Sequence, residues 1–131
     1  MKPRRKRRRT SRQSAGVKIE TAKTGGMKER TPGRGRYDLL NPIVLRRDAL
    51  LYEKGAAKYA PRNWEKGMPV SWNIDSLLRH LMQYQMGDRS EDHLAAIRFH
   101  AGCIMYTETM VEMGRLPKNL LDLFEPPGQQ E

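Results

Sequence analysis

The chain has 131 residues and a formal net charge of +10, a length that allows one small domain. Its single cysteine, Cys103, excludes an internal disulfide framework and a Cys-rich zinc site. No apolar run approaches the roughly 20 residues that span a bilayer, and the basic N-terminus lacks the hydrophobic segment of a secretory signal. A cytoplasmic protein without membrane contact is expected.

Residues 1–36 hold 14 Lys/Arg against 2 acids, whereas residues 37–131 hold 11 against 13. All the excess basicity therefore lies in the N-terminal arm. Val17, Ile19 and Met27 are too few to bury a core, so residues 1–36 are predicted to be disordered. The arm suits non-specific binding of nucleic-acid phosphates, an import signal or a solubility role. It has no aromatic residues among the run Arg4–Arg9 to stack on bases.

A first helix is predicted from Pro42 to about Tyr59, with Asn41 as its cap and Pro favoured at its first position. Val44, Leu51 and Ala56 mark its apolar face. Gly55 weakens its middle by about 1 kcal/mol relative to Ala and suggests close approach of a neighbour. Ala60-Pro61 ends it. The stretch from Tyr52 to Gly67 gathers acids, several cations, two tyrosines, an amide and a tryptophan. Lys and Arg pair with phosphate oxygens and aromatic rings stack, which suits an anionic, partly aromatic ligand. The alternative is a solvated helix end and loop.

A second helix is predicted over about Asn73–Met86, with Ile74, Leu77, Leu78 and Leu81 as its apolar stripe and Gly87 as its stop. Ser90 is predicted to cap a third helix that carries Glu91 and Asp92 in its first turn and runs to Met113. Its face is Leu94, Ile97, Ala101, Ile104, Glu108 and Val111, a 3–4 spacing that suits a partner helix from a second chain. A homo-oligomer is therefore expected. Leu116, Leu120, Leu121 and Phe124 predict a short closing helix before a flexible tail, residues 126–131. No strand is predicted. The fold class is all-α: a small bundle of three main helices plus a short C-terminal one, over residues 37–125.

Ionisable residues recur on these helices: Glu53, Asp75, His80, Asp88, Asp92, His93 and His100. Carboxylates from facing helices can converge on a divalent cation, and Mg²⁺ suits carboxylates combined with substrate phosphates. A solvated face, or simple capping for Glu91 and Asp92, is the alternative reading. Phosphate loops, serine elbows and zinc motifs are absent, which leaves attack by a metal-activated water.

Several motifs occur in order: Gly35-Arg36-Tyr37-Asp38-Leu39-Leu40; Tyr52-Glu53-x-Gly55-Ala56-x-Lys58-Tyr59; Arg62-Asn63-Trp64-x-x-Gly67; Asp75-Ser76-x-x-Arg79-His80 with Gly87-Asp88; and His93-Leu94-Ala95. Over roughly residues 35–112 the chain resembles the phage-associated dATP/dGTP diphosphohydrolase N-terminal domain family, related to the MazG-like all-α pyrophosphohydrolases. Where family members commonly carry a second His and then an Asn, this chain has Ala96 and His100. The resemblance implies Mg²⁺-dependent conversion of a deoxynucleoside triphosphate to monophosphate and pyrophosphate. On that reading Glu53, Asp75 and Asp92 hold Mg²⁺, and Glu53, His80 and His93 serve catalysis. Lys58 and Arg62 neutralise phosphate charge, Asn63 and Trp64 contact the base, and Tyr59 and Arg79 add substrate contacts. The rivals are a nucleic-acid-binding accessory protein acting through the arm and a nucleotide-binding module without turnover.

Overall fold

A computed structural model describes residues 16–128. The basic run from Arg4 to Arg9 and the last three residues of the tail lie outside the described residues. The chain divides into two units, residues 1–40 and 41–131.

In the first unit, strands β1 (Lys18–Thr21) and β2 (Met27–Arg30) form an antiparallel hairpin that pairs Glu20 with Lys28. No strand is expected from the sequence, since these eight positions show no apolar alternation, and all eight are exposed. Opposite charges and a tight turn make the hairpin instead. Arg30 lies 2.8 Å from Glu20, and the amide of Gly25, at φ +91°, donates to the carbonyl of Ala22. Farther on, Arg36 grips Asp38 with two hydrogen bonds of 2.8 Å, which hold its carboxyl down at about 2.

The second unit is helical. Helix α1 (Pro42–Lys58) starts as predicted, Asn41 accepting a hydrogen bond from the Ile43 amide at 3.0 Å. Val44, Asp48, Leu51 and Ala56 form its half-buried side. Gly55 has nothing within 4 Å of where a Cβ would stand, so the close approach its presence suggested is not found.

Helix α2 (Val70–Gln85) begins three residues earlier than predicted. Val70 is almost fully buried, and the new helix end is capped from the distant C-terminal segment. The Ser71 amide donates to Asp122 at 2.9 Å and the Ser71 hydroxyl donates to its other oxygen. A carboxylate at a helix N-terminus satisfies free N–H groups and complements the dipole. No local sequence signal announces a cap from 51 residues away.

Helix α3 (His93–Glu112) is capped by Asp92, whose side chain accepts from the Ala95 amide at 3.1 Å. Ser90, the predicted cap, donates its amide and hydroxyl to Asp88. The glycines after α2 and α3, Gly87 and Gly114, take φ of +87° and +71° and end them as predicted.

Helices α2 and α3 pack against each other most extensively, and α1 lies on α3. Two ion pairs, each with two hydrogen bonds, fasten α1: Arg47 to Asp92 at 2.6–2.7 Å and Arg98 to Asp48 at 2.9 Å. The loop after α1 is held by edge-to-face aromatic contacts of Trp64 with Tyr52 and Tyr106. The Tyr106 hydroxyl donates to the Glu65 carbonyl. Gly67 is required where it stands: its φ is +77°, and a Cβ would come within 2.9 Å of Leu116 and 3.0 Å of Leu120. Those leucines flank Pro117 and a single 3₁₀ turn, Lys118–Leu120, where a short helix was predicted. Among the described residues no helix is long and apolar enough to cross a membrane.

The residues chosen as the apolar stripes of α2 and α3 are not the most buried. Leu78 and Leu81 are exposed, and so is Glu108. The buried seam is Val70, Asn73 and His80 on α2 against His93, Ala96, Cys103 and Thr107 on α3. Burial pushes the Cys103 thiol up to about 11, consistent with a small packing residue rather than a nucleophile.

Candidate functional site

The α2–α3 seam brings together all three histidines of the chain. Two antiparallel helices joined by a short turn pair positions at equal distances on either side of it. Centred beside Gly87, this rule sets His80 against His93 and Asn73 against His100. His80 Nδ1 lies 2.9 Å from His93 Nδ1, and His100 Nδ1 lies 3.0 Å from Asn73 Oδ1. The His80 and His100 rings stack at 5.8 Å. His80, His93 and Asn73 are 6 %, 2 % and 2 % exposed. Burial, with Arg79 close by, lowers the pKa of His80 against the pull of Glu91, and burial likewise lowers that of His100. Both rings are therefore neutral at pH 7, with nitrogen lone pairs available.

The turn between the helices completes the group. Asp88 accepts hydrogen bonds from the Ser90 amide and hydroxyl and from His93 Nε2, the last at 2.8 Å. These donors, the Ser90 amide first, hold its carboxyl down at about 2. Glu91 Oε1 lies 3.1 Å from His80 Nδ1 and 3.6 Å from His93 Nδ1. Beside them opens a cleft of about 530 Å³ lined by Arg47, Tyr84, Arg89, Glu91, Asp92 and His93. The Arg89 guanidinium sits 4.2 Å over the Tyr84 ring and donates to the Tyr84 and Asp88 carbonyls. A concave site with two guanidinium groups, an aromatic ring and a floor of imidazole and carboxylate suits a phosphorylated, ring-bearing ligand.

Of the residues singled out by sequence, His80 and His93 are in this cluster. Glu53 and Asp75 are exposed on α1 and α2. Asp75 follows Asn73 by two positions, about 200° around the helix and away from the seam. Both oxygens of Asp92 are taken by Arg47. The expected trio Glu53, Asp75 and Asp92 is therefore not assembled as a Mg²⁺ site. Among the described residues one group of three His, Cys, Asp or Glu brings its ligand atoms within 4.8 Å of one another: His80, Glu91 and His93. Two imidazole nitrogens and one carboxylate are a poor match to Mg²⁺, which demands oxygen ligands.

The stretch after α1 has a different character. Lys58 Nζ lies 5.2 Å over the exposed Tyr59 ring. Arg62 has a left-handed backbone with φ 60°, pairs with Glu65 and lies 5.5 Å over the Trp64 ring. Asn63 is half-buried at the start of the 3₁₀ turn Asn63–Lys66. Trp64 is held between Tyr52, Tyr106 and Arg62. Arg79 is exposed and reaches Gln83 at 3.5 Å.

Sequence analysis missed Arg47, Tyr84 and Arg89 and read Glu91 as a capping residue only. The usable signal was the turn at Gly87, which places His80 opposite His93 and Asn73 opposite His100. No curated protein and no solved structure matches the chain. The family model described as "dATP/dGTP diphosphohydrolase, N-terminal" matches residues 24–114, a range that contains α1, α2, α3 and every residue of the histidine cluster. The chain belongs to that family of diphosphohydrolases, hydrolases acting on acid anhydrides.

Proposed function

We propose that this protein hydrolyses a purine deoxynucleoside triphosphate, dATP or dGTP, to the monophosphate and pyrophosphate, in the cleft beside His93. The observation that carries this reading is the cleft itself. It sets Arg47, Arg89 and Tyr84 around the Glu91–His93 floor, within a chain of the diphosphohydrolase family. The two guanidinium groups offset phosphate charge as it redistributes in the transition state. The Tyr84 ring offers a surface for the base. Water attacks the α-phosphorus, the bond to the bridging oxygen breaks, pyrophosphate leaves, and the proton of the water passes to the carboxylate of Glu91. Mg²⁺ enters as part of the substrate, on its phosphate oxygens, where it keeps several waters. Lys58, Tyr59 and Arg62 form a second exposed cationic surface, separate in character from this cleft, with Asn63 and Trp64 behind it.

Two further proposals concern partners. The protein works as a homo-oligomer, supported by the exposed Leu78, Leu81 and Met82 on α2 and by a core of few apolar residues. Residues 1–36 add non-specific nucleic-acid binding, supported by their charge. Deleting residues 1–30 is expected to remove that binding and leave hydrolysis intact.

The test is direct. Purified protein is incubated with each of the four deoxynucleoside triphosphates and Mg²⁺, and pyrophosphate and monophosphate are measured. The purine substrates are expected to react fastest, with equal amounts of the two products. Absence of pyrophosphate from all four overturns the proposal.

A further inference from the structure

The histidine cluster carries an inference that does not depend on the identity of the substrate. His93 Nε2 is 2.8 Å from Asp88, whose carboxyl oxygens also accept from the Ser90 amide and hydroxyl. That contact fixes the N–H on Nε2 and leaves the Nδ1 lone pair free. This lone pair faces His80 Nδ1 at 2.9 Å and Glu91 Oε1 at 3.6 Å, and the third side of the triangle, His80 Nδ1 to Glu91 Oε1, is 3.1 Å. Three lone-pair atoms thus crowd together, two on buried imidazoles and one on the exposed Glu91, beside the cleft that Glu91 and His93 line. A proton can bridge one pair of them, whereas a cation satisfies all three. The spacing also fits. Ligand bonds of about 2.0–2.2 Å in tetrahedral geometry separate neighbouring ligand atoms by about 3.3 Å, which falls inside the range of the three measured distances.

We infer that His80 Nδ1, His93 Nδ1 and Glu91 Oε1 form a resident site for a borderline divalent transition ion of the Zn²⁺ class. Asp88 is its positioning residue. Two imidazoles and one carboxylate are a ligand set that zinc and its neighbours accept, and one that leaves coordination positions open toward the cleft. Asp88 acts through His93, orienting the ring and fixing its tautomer, as carboxylate partners of metal-bound histidines do. Such an ion acidifies a coordinated water. Glu91 keeps its second oxygen for a proton.

The chain has three histidines, all at this place, so a histidine-ligated ion reports this site when the protein is made without a histidine tag. The full chain is stripped with chelator and titrated with Co²⁺, whose visible absorption reports its ligands, and with Zn²⁺ by calorimetry. One ion per chain is expected, retained in a large excess of Mg²⁺. His93 is buried, and His93→Gln could fail to fold, so the decisive variants are the more exposed Glu91→Gln and Asp88→Asn, with helicity checked by circular dichroism. Asp88→Asn is expected to weaken binding about 10–100-fold, and Glu91→Gln at least as much. The inference is overturned if neither ion binds, if both variants bind as tightly as the parent, or if Mg²⁺ displaces the ion at comparable concentration.

Discussion

The loop stretch from Tyr52 to Gly67 and the seam between α2 and α3 differ in how their chemistry is written. The loop concentrates cations and aromatics in one short piece of sequence, so it draws attention at once. Its rings, however, hold one another: Trp64 meets Tyr52 and Tyr106 edge to face, and Arg62 pairs with Glu65. The seam spreads its residues over two helices and a turn, and its acids look like ordinary capping. Folding brings four of them, His80, Asp88, Glu91 and His93, into one hydrogen-bonded group beside a cleft. Composition marks where polar residues are dense, while convergence marks where they act together.

The sharpest way to break this comparison is kinetic. Glu91→Gln is expected to lower kcat by about 10²–10⁴-fold, the usual worth of a positioned proton acceptor. Glu53→Gln and Asp75→Asn, both exposed, should leave it within a few-fold. Steady-state pyrophosphate release measures all three, and an equal loss in Glu53→Gln would return the chemistry to α1.

Substrate affinity comes next. Charge-assisted hydrogen bonds contribute about 1.5–3 kcal/mol, so Arg89→Ala should raise KM roughly 10–100-fold. Lys58→Ala and Arg62→Ala should shift it much less. The reverse order would make the loop the phosphate site.

Stability separates the two regions in the opposite sense. Trp64→Ala removes a half-buried ring from the aromatic contacts and should cost about 2–3 kcal/mol, read as a fall in Tm. Two glycines sharpen the point. Gly67→Ala should destabilise, since its Cβ meets Leu116 in a left-handed backbone. Gly55→Ala, with open space around it, should stabilise by up to about 1 kcal/mol.

The smallest effect is at Asp122. Hydrogen bonds from the Ser71 hydroxyl and then its amide lower this carboxyl's pKa in the folded protein. Its contribution is fully present above the unfolded value of about 3.9 and is lost as pH falls through the lowered folded value. Asp122→Asn should lower the neutral plateau of a thermal-stability profile slightly and leave stability at acid pH nearly unchanged, so that the acid limb flattens.

Much of the fold was legible because helix ends are local. Asn41-Pro42, Gly87 and Gly114 each stop or start a helix through their own backbone chemistry. The early start of α2 was not legible, because its cap, Asp122, arrives from the far end of the chain. Orientation about the helix axes was also misjudged. Leu78, Leu81 and Glu108 were assigned to the inner faces by apolar spacing, whereas the seam buries histidine, asparagine, alanine and threonine. Across the seam His80 meets His93 and His100 meets Asn73, and a one-dimensional pattern of apolar residues has no sign of that pairing. The two sequence-selected histidines entered the site because the hinge at Gly87 sets them opposite. Of the selected carboxylates, Glu53 and Asp75 face solvent, and Asp92 lines the cleft with both oxygens held by Arg47.

The central claim is that nucleotide sits in the seam cleft rather than on the loop. NMR of the full chain with a non-hydrolysable α,β-methylene analogue of dATP and Mg²⁺ tests it most directly. The His93 ring and Arg89 side-chain signals should shift and saturate together while the Trp64 indole N–H stays in place. Shifts of the Trp64 indole and Lys58 signals with an unmoved His93 would contradict it.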